Sequence, residues 1–92
     1  MSEEKYIPEV KGVIERFIRS FEELRYRGMV DTKGEFCKNV GLSNSTSNFL
    51  LLARGKRKPS VTNILLLNKN YGVSMNWIMF GSGEFLEKGN KE

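Results

Sequence analysis

The stretch that decides the fold covers residues 32–55 and reads "TKGEFCKNVGLSNSTSNFLLLARG". Thr32 is followed three residues later by Glu35, which is the spacing of a capping box at the start of a helix. We therefore predict a short helix over residues 33–39, closed by Gly41. The second half begins with small polar residues, becomes apolar and then meets another glycine. This order predicts a further helix with a polar first turn and buried last turns.

The start of this further helix can follow two registers. In the first, Ser45 caps the helix, which turns Phe49 and Leu52 inward. In the second, Ser43 caps the helix and Ser47 takes a position that is normally apolar. We favour the first register because it buries the more apolar residues.

The remaining sequence predicts three more helices. Apolar residues recur at i, i+3, i+4 and i+7 over residues 10–24, the pattern of an amphipathic helix. Pro59 and Ser60 restart the chain, and "VTNILLLNKNYG" (61–72) gives a helix with a wide apolar face that Gly72 ends. Ser74 caps a last helix over "MNWIMF". We predict an all-α domain of five helices over residues 10–86, with residues 1–9 as an N-terminal arm or helix entry and residues 87–92 as a flexible tail.

The charges of the chain are concentrated in its middle. The 92 residues, enough for one domain, include 15 Lys and Arg and 11 Asp and Glu, for a net charge of +4. Between residues 24 and 80, nine basic residues stand against two acidic ones. A concentrated positive field of this kind favours nucleic acid or an anionic membrane surface as the partner.

The cysteine and histidine content of the chain does not favour an enzyme. The single cysteine, Cys37, excludes an internal disulfide, and the chain has no histidine to bind zinc or to act as an imidazole base. We therefore expect no enzyme activity, no catalytic residue, no metal and no cofactor. The chain shows no signal-peptide core and no apolar run of membrane-spanning length, so we expect a cytoplasmic protein.

Three stretches, in this order, resemble the Cro and phage-repressor-like helix-turn-helix domains, also called the xenobiotic response element family. "TKGEFCKNVGLS" (32–43) is similar to their second helix and turn, and "RGKRKPS" (54–60) to the loop after their recognition helix. "YGVSMNWIMFGSGEF" (71–85) is similar to their closing helix, with its Trp and terminal Gly-x-Gly. The resemblance covers residues 13–85, although the segment between the turn and the basic loop is slightly longer here than is usual.

This resemblance implies a five-helix, lambda-repressor-like DNA-binding domain. It implies a sequence-specific, double-stranded DNA-binding transcriptional regulator, a repressor of phage or mobile-element type. Its recognition helix would cover about residues 44–54 and lie in the major groove. Such proteins act as homodimers on pseudopalindromic operators.

The polar turn before the apolar run supplies side chains that can read base edges. Asn can bond bidentately to adenine, and Ser or Thr can donate or accept. Arginine, the usual reader of guanine, does not occur in that turn, which favours A·T-leaning half-sites or readout through DNA shape. The candidates for base readout are Asn44, Ser45, Thr46, Ser47 and Asn48, with Leu50 or Leu51 beside them.

Basic and hydroxyl side chains around this turn are candidates for phosphate contact, since such groups position a protein on the duplex without reading its sequence. They are Thr32, Lys33, Ser43, Arg54, Lys56, Arg57 and Lys58. The candidates for the dimer contact are apolar residues near the end of the domain: Phe80, Phe85 and Leu86.

Two other functions fit the same sequence. The first is an antitoxin-like protein that binds a toxin partner and autoregulates its operon. The second is a basic module that binds RNA or a membrane surface and has no preference for palindromic duplexes. For Cys37 we expect a packed thiol, and for Trp77 an anchor of the core rather than a ligand platform.

Overall fold

The computed structural model of the protein describes residues 6–42 and 45–87, except for the side chains of residues 45 and 46. Within these ranges the structure is helical and contains no strand, only an isolated antiparallel bridge between Val73 and Leu86. An all-α fold is therefore confirmed, while most of the predicted arm (1–5) and tail (88–92) lies outside the described residues. The helices are α1 (Pro8–Tyr26), α2 (Lys33–Asn39), α3 (Ser45–Ala53), α4 (Val61–Tyr71) and α5 (Met75–Phe80).

Helix α1 begins at Pro8, two residues before the start that the apolar pattern predicted. A proline is well suited to the first turn, where its missing N–H leaves no hydrogen bond unmade. Its apolar face, which includes Phe17 and Phe21, is buried, and its polar face carries charged residues. Across 6–42 and 45–87, no helix combines the length and the apolar character that crossing a membrane requires.

Aromatic rings hold α1, α2 and α3 together. Phe36 of α2 lies with its ring centroid 5.9 Å from that of Phe17 and 5.3 Å from that of Phe21. Phe49 of α3 packs edge-on against Phe21 at 5.5 Å and against Phe36 at 6.2 Å. Such pairs contribute about 0.5–1.5 kcal/mol each beyond the burial of their area. This cluster fixes how α3 is presented to solvent.

Amide side chains attach α4 to the end of α2. Asn63 is buried, and its Nδ2 donates to the carbonyl oxygen of Val40 at 2.7 Å. The same side chain accepts from the N–H of Ser60, whose hydroxyl in turn accepts from the N–H of Asn63, so a complete capping box starts α4. Asn39 Nδ2 donates to the phenol oxygen of Tyr71 at 2.9 Å.

An arginine of α1 secures the carboxyl end of α5. Arg16 donates from Nε to the carbonyl of Ile78 at 2.8 Å and from Nη2 to that of Met79 at 3.1 Å. A cation at this position satisfies carbonyls that a helix end leaves without partners. After α5 the chain returns to the core, where Phe85 is buried against the half-buried Trp77 ring at 4.8 Å. Trp77 is thus an anchor of the core, as predicted.

Candidate nucleic-acid interface

Thr32 caps α2, as its spacing from Glu35 predicted. The N–H of Glu35 donates to Thr32 Oγ1 at 3.1 Å. The return bond differs from the predicted box, because Glu35 Oε1 accepts from the N–H of Asp31 at 3.1 Å. The Glu35 carboxylate thereby bonds Asp31, the residue before the cap, rather than Thr32 itself, and so fixes the backbone that leads into α2. The side chains of Thr32 and Lys33 both remain exposed there.

The turn after α2 depends on Gly41, which has a φ of 80°. The N–H of Leu42 donates to the carbonyl of Cys37 at 2.8 Å, and the Leu42 side chain packs against the core. A Cβ on Gly41 would lie 3.0 Å from Leu66 Cδ1, so the turn has little room for a side chain. Two predicted contacts, Ser43 with phosphate and Asn44 with a base, lie outside the described residues.

Helix α3 begins at Ser45, between the two starts that the sequence allowed. Its burial follows the first register: Phe49 and Leu52 face the core and Ser47 is exposed. The side chains of Ser45 and Thr46, two candidates for base readout, are outside the described part of the chain.

The outward side of α3 carries an exposed stripe of four residues: Ser47, Leu50, Leu51 and Arg54. Their spacing of i, i+3, i+4 and i+7 places them on one face of the helix, opposite the buried face. Leu50 is 48% exposed and Leu51 is 36% exposed. Sequence reasoning gave the two leucines only a secondary place beside the polar turn, because apolar residues are normally assigned to a core.

The basic loop after α3, residues 54–58, folds back toward that helix. Gly55 has a φ of 73°, and the N–H of Lys56 donates to the carbonyl of Leu51 at 2.9 Å, which ends α3 in a Schellman motif. Arg57 Nη1 then donates to Asn48 Oδ1 at the edge of the exposed stripe. The sequence gave no sign of this bond, because it depends on the path of the loop beyond Gly55.

A further cation lies beside α3, at the start of α2. Lys33 Nζ lies 4.9 Å from the centroid of the Phe49 ring, a cation–π arrangement that holds the ammonium near α3. Lys33 therefore lies beside α3 at Phe49, and the basic loop follows the end of the exposed stripe.

A groove between α1 and the end of α3 extends the cationic region. Its lining includes Lys11, Arg19 and one acid, Glu15, from α1, Lys56 from the basic loop, and the apolar Ile14 and Leu52. Sequence reasoning left Lys11 and Arg19 out of the interface, because they lie in an N-terminal segment, residues 1–23, that holds six acids and only four bases. Only the packing of α1 on α3 brings them close to the loop.

Cys37 is fully buried within α2, as predicted for a packed thiol. Burial raises its pKa above the ordinary value of 9.0, and the nearby Lys33 opposes part of that rise. At neutral pH the group is therefore a protonated thiol rather than a nucleophilic thiolate.

The three candidates for a dimer contact differ in their accessibility. Phe80 is 75% exposed, Leu86 is half-buried and Phe85 is buried against Trp77. Phe80 therefore offers most of its ring to a partner, whereas Phe85 already belongs to the core of its own chain.

Comparison with known proteins supplies no relative from which a site residue could be transferred. No family model matches the chain, and no curated protein or solved structure does either. The interface therefore rests on three local features: the exposed stripe of α3, the basic loop and Lys33.

Proposed function

We propose that this protein is a sequence-specific, double-stranded DNA-binding regulator of the lambda-repressor-like helix-turn-helix type, with α3 as its recognition helix. The observation that carries the proposal is the exposed stripe of α3 with the basic loop at its end and Lys33 beside the same helix. A helix that reads bases needs an outward face for the groove and positive charge for the phosphates on either side.

The size of α3 suits the major groove. A helix with its side chains is about 10–12 Å across, and the groove of B-form DNA is about 12 Å wide. The Phe49 and Leu52 side chains anchor α3 to the core, so its outward face is held in one orientation. A rigid face of this kind can select among base sequences at low entropic cost.

The basic loop would supply most of the phosphate contacts. Lys56 and Lys58 are exposed, and each phosphate neutralised by such a group releases counterions. Lys33, held over the Phe49 ring, would contact the backbone near the other half of the helix.

We assign Arg57 to base readout in place of the phosphate contact predicted for it. Its Nη1 donates to Oδ1 of Asn48, a candidate for base readout, and arginine is the commonest reader of guanine. Asn48 would then act together with Arg57, so the half-site would not be restricted to A·T pairs.

Selection from random duplexes tests this function, and Arg57 and Lys58 provide a matched pair of variants. We expect a palindromic consensus. Lys58→Ala should weaken binding to all duplexes and lower the magnitude of the slope of log K against log salt by about 1 for each bound subunit. Arg57→Ala should instead reduce preference at one base position by about 1–3 kcal/mol. Failure to enrich any duplex would contradict the proposal. If Arg57→Ala lowered the affinity for specific and random DNA equally, Arg57 would be assigned to phosphate contact instead.

Repression would follow from occlusion of a promoter by a homodimer. Twofold helix-turn-helix dimers bind half-sites about 34–36 Å apart, which explains the pseudopalindromic operator that we expect.

Exposed apolar side chains on α4 favour a second candidate function, that of an antitoxin-like protein with a toxin partner. Val61 and Leu65 are exposed at a spacing of i, i+4 and so share one face. In this case Leu65→Ser should abolish a stoichiometric complex with the product of an adjacent gene and leave duplex selection unchanged. A parallel selection from random RNA tests the RNA-binding alternative.

A further inference from the structure

We propose that Leu50 and Leu51 read a pyrimidine by the methyl group on its C5 atom, which makes a C5-methylated pyrimidine opposite the middle of α3 a preferred element of the half-site. This inference rests on the proposed DNA-binding function and adds the chemistry that α3 recognises. A 5-methylcytosine carries the same methyl group and would be accepted at the same groove position.

The two leucines are exposed, and the core is filled without them. Phe49 and Leu52 fill the inward side of α3, while Leu50 and Leu51 lie in the middle of the outward face. Single exposed leucines are ordinary on protein surfaces. Here two adjacent ones occupy the centre of the exposed stripe, where a base-reading helix normally carries hydrogen-bonding groups.

The major groove offers a leucine only one kind of favourable contact. Its floor presents hydrogen-bond donors and acceptors and, at thymine alone among the four ordinary bases, a methyl group. A leucine pressed against a polar base edge removes water from that edge and returns no hydrogen bond, which is unfavourable. Against a methyl group the same leucine gains apolar burial. The leucine side chains therefore favour a base with a methyl group, through the apolar burial gained there, and disfavour a polar base edge, through the hydrogen bonds lost there.

The charges around the leucines favour DNA over a protein as the occupant of this face. Arg54 is both the last residue of the exposed stripe and the first of the basic loop, and Lys33 lies beside the same helix at Phe49. An apolar centre within a cationic surround complements a groove whose floor carries methyl groups and whose walls carry phosphates.

The test uses the selected duplex with each thymine replaced in turn by deoxyuridine, which removes the methyl and keeps the base pair. At one or two positions we expect affinity to fall about fourfold, the effect of losing one buried methyl group. Cytosine placed at such a position should bind more weakly than 5-methylcytosine there. This part of the test requires no change to the protein.

Leu50→Ala and Leu51→Ala identify the side chain responsible, because at least one of them should bind the thymine and deoxyuridine duplexes equally. Leu65→Ala is the matched control: Leu65 is 50% exposed on α4, and its loss should leave the fourfold discrimination intact. Equal affinity of the wild-type protein for all deoxyuridine duplexes would overturn the inference. Full discrimination in both leucine variants would also overturn it. If no duplex is enriched at all, the DNA-binding function itself fails.

Discussion

At the scale of single residues, burial of Cys37 links the stability of the fold to pH. The thiol is enclosed in α2, and burial raises its pKa in the folded protein above the ordinary value of 9.0, against a smaller opposing effect of Lys33. In the unfolded chain a thiol loses its proton near pH 8.5. Between the two pKa values the folded state binds more protons than the unfolded state, and its stability therefore falls as pH rises.

We expect the free energy of unfolding to be insensitive to this group below about pH 8 and to decrease above about pH 8.5. Urea unfolding followed by Trp77 fluorescence at a series of pH values measures it. Cys37→Ala should remove the part of the decrease due to the thiol. An identical decrease in Cys37→Ala would assign the effect to other groups.

The bond between Arg57 and Asn48 shows what the sequence could not predict at this scale. The types of residue suited to DNA were evident from the sequence, but each side chain was considered alone. The pairing depends on the left-handed backbone at Gly55, which turns the loop back along α3. The exposure of Leu50, by contrast, follows from the favoured register, which turns Phe49 and Leu52 inward.

At the scale of elements, the turn between α2 and α3 depends on a glycine. Gly41→Ala would force a left-handed φ on a residue with a Cβ, which costs about 1–2 kcal/mol, and would press that Cβ against Leu66. We expect the free energy of unfolding to fall by at least this amount. Gly34→Ala is the control, because Gly34 is helical in α2 and has no atom within 4 Å of an added Cβ.

Gly34→Ala should raise stability by up to about 1 kcal/mol, because alanine has the higher helix propensity. Chemical denaturation of the two variants beside the wild type makes the comparison. A Gly41→Ala variant as stable as the wild type would show that the turn tolerates another conformation, and α3 would then not be fixed relative to α2.

Helix boundaries were the most predictable features of the fold, because the capping residues that mark them stand next to the boundary in the sequence. Thr32 and Ser74 accept the capping bonds that their positions predicted, and Ser60, where the sequence restarts after the basic loop, caps α4. The starts of α1 and α3 were predicted less well, since Pro8 suits a first turn as readily as an arm and several polar residues compete as caps before α3.

At the scale of the whole molecule, the arrangement of the helices depends on bonds between residues far apart in sequence. Arg16 joins α1 to the carboxyl end of α5, and Asn63 joins α4 to Val40 after α2. Apolar periodicity predicts which face of each helix is buried, but it carries no information about such partners. The all-α class was therefore predictable, whereas the route by which Lys11 and Arg19 approach the basic loop was not.

The exposed surface around α5 holds the residues predicted to form a contact between two copies of the chain. Phe85 is poorly suited to a test, because truncating a buried ring would damage the core before it affected any interface. Phe80 is suited to one, because its ring is 75% exposed and its removal leaves the core unchanged. Tyr26 provides a matched control as an aromatic residue 88% exposed on α1.

We expect Phe80→Ala to weaken the proposed homodimer by about 2 kcal/mol or more, the effect typical of a central interface residue. Sedimentation equilibrium measures the dimer directly, and operator binding should become less cooperative while affinity for a single half-site is preserved. Tyr26→Ala should change neither quantity. If the Phe80→Ala dimer were as stable as the wild-type dimer, the contact would lie on another surface. The exposed Val61 and Leu65 of α4 would then be the next residues to test, since they offer the same kind of apolar contact.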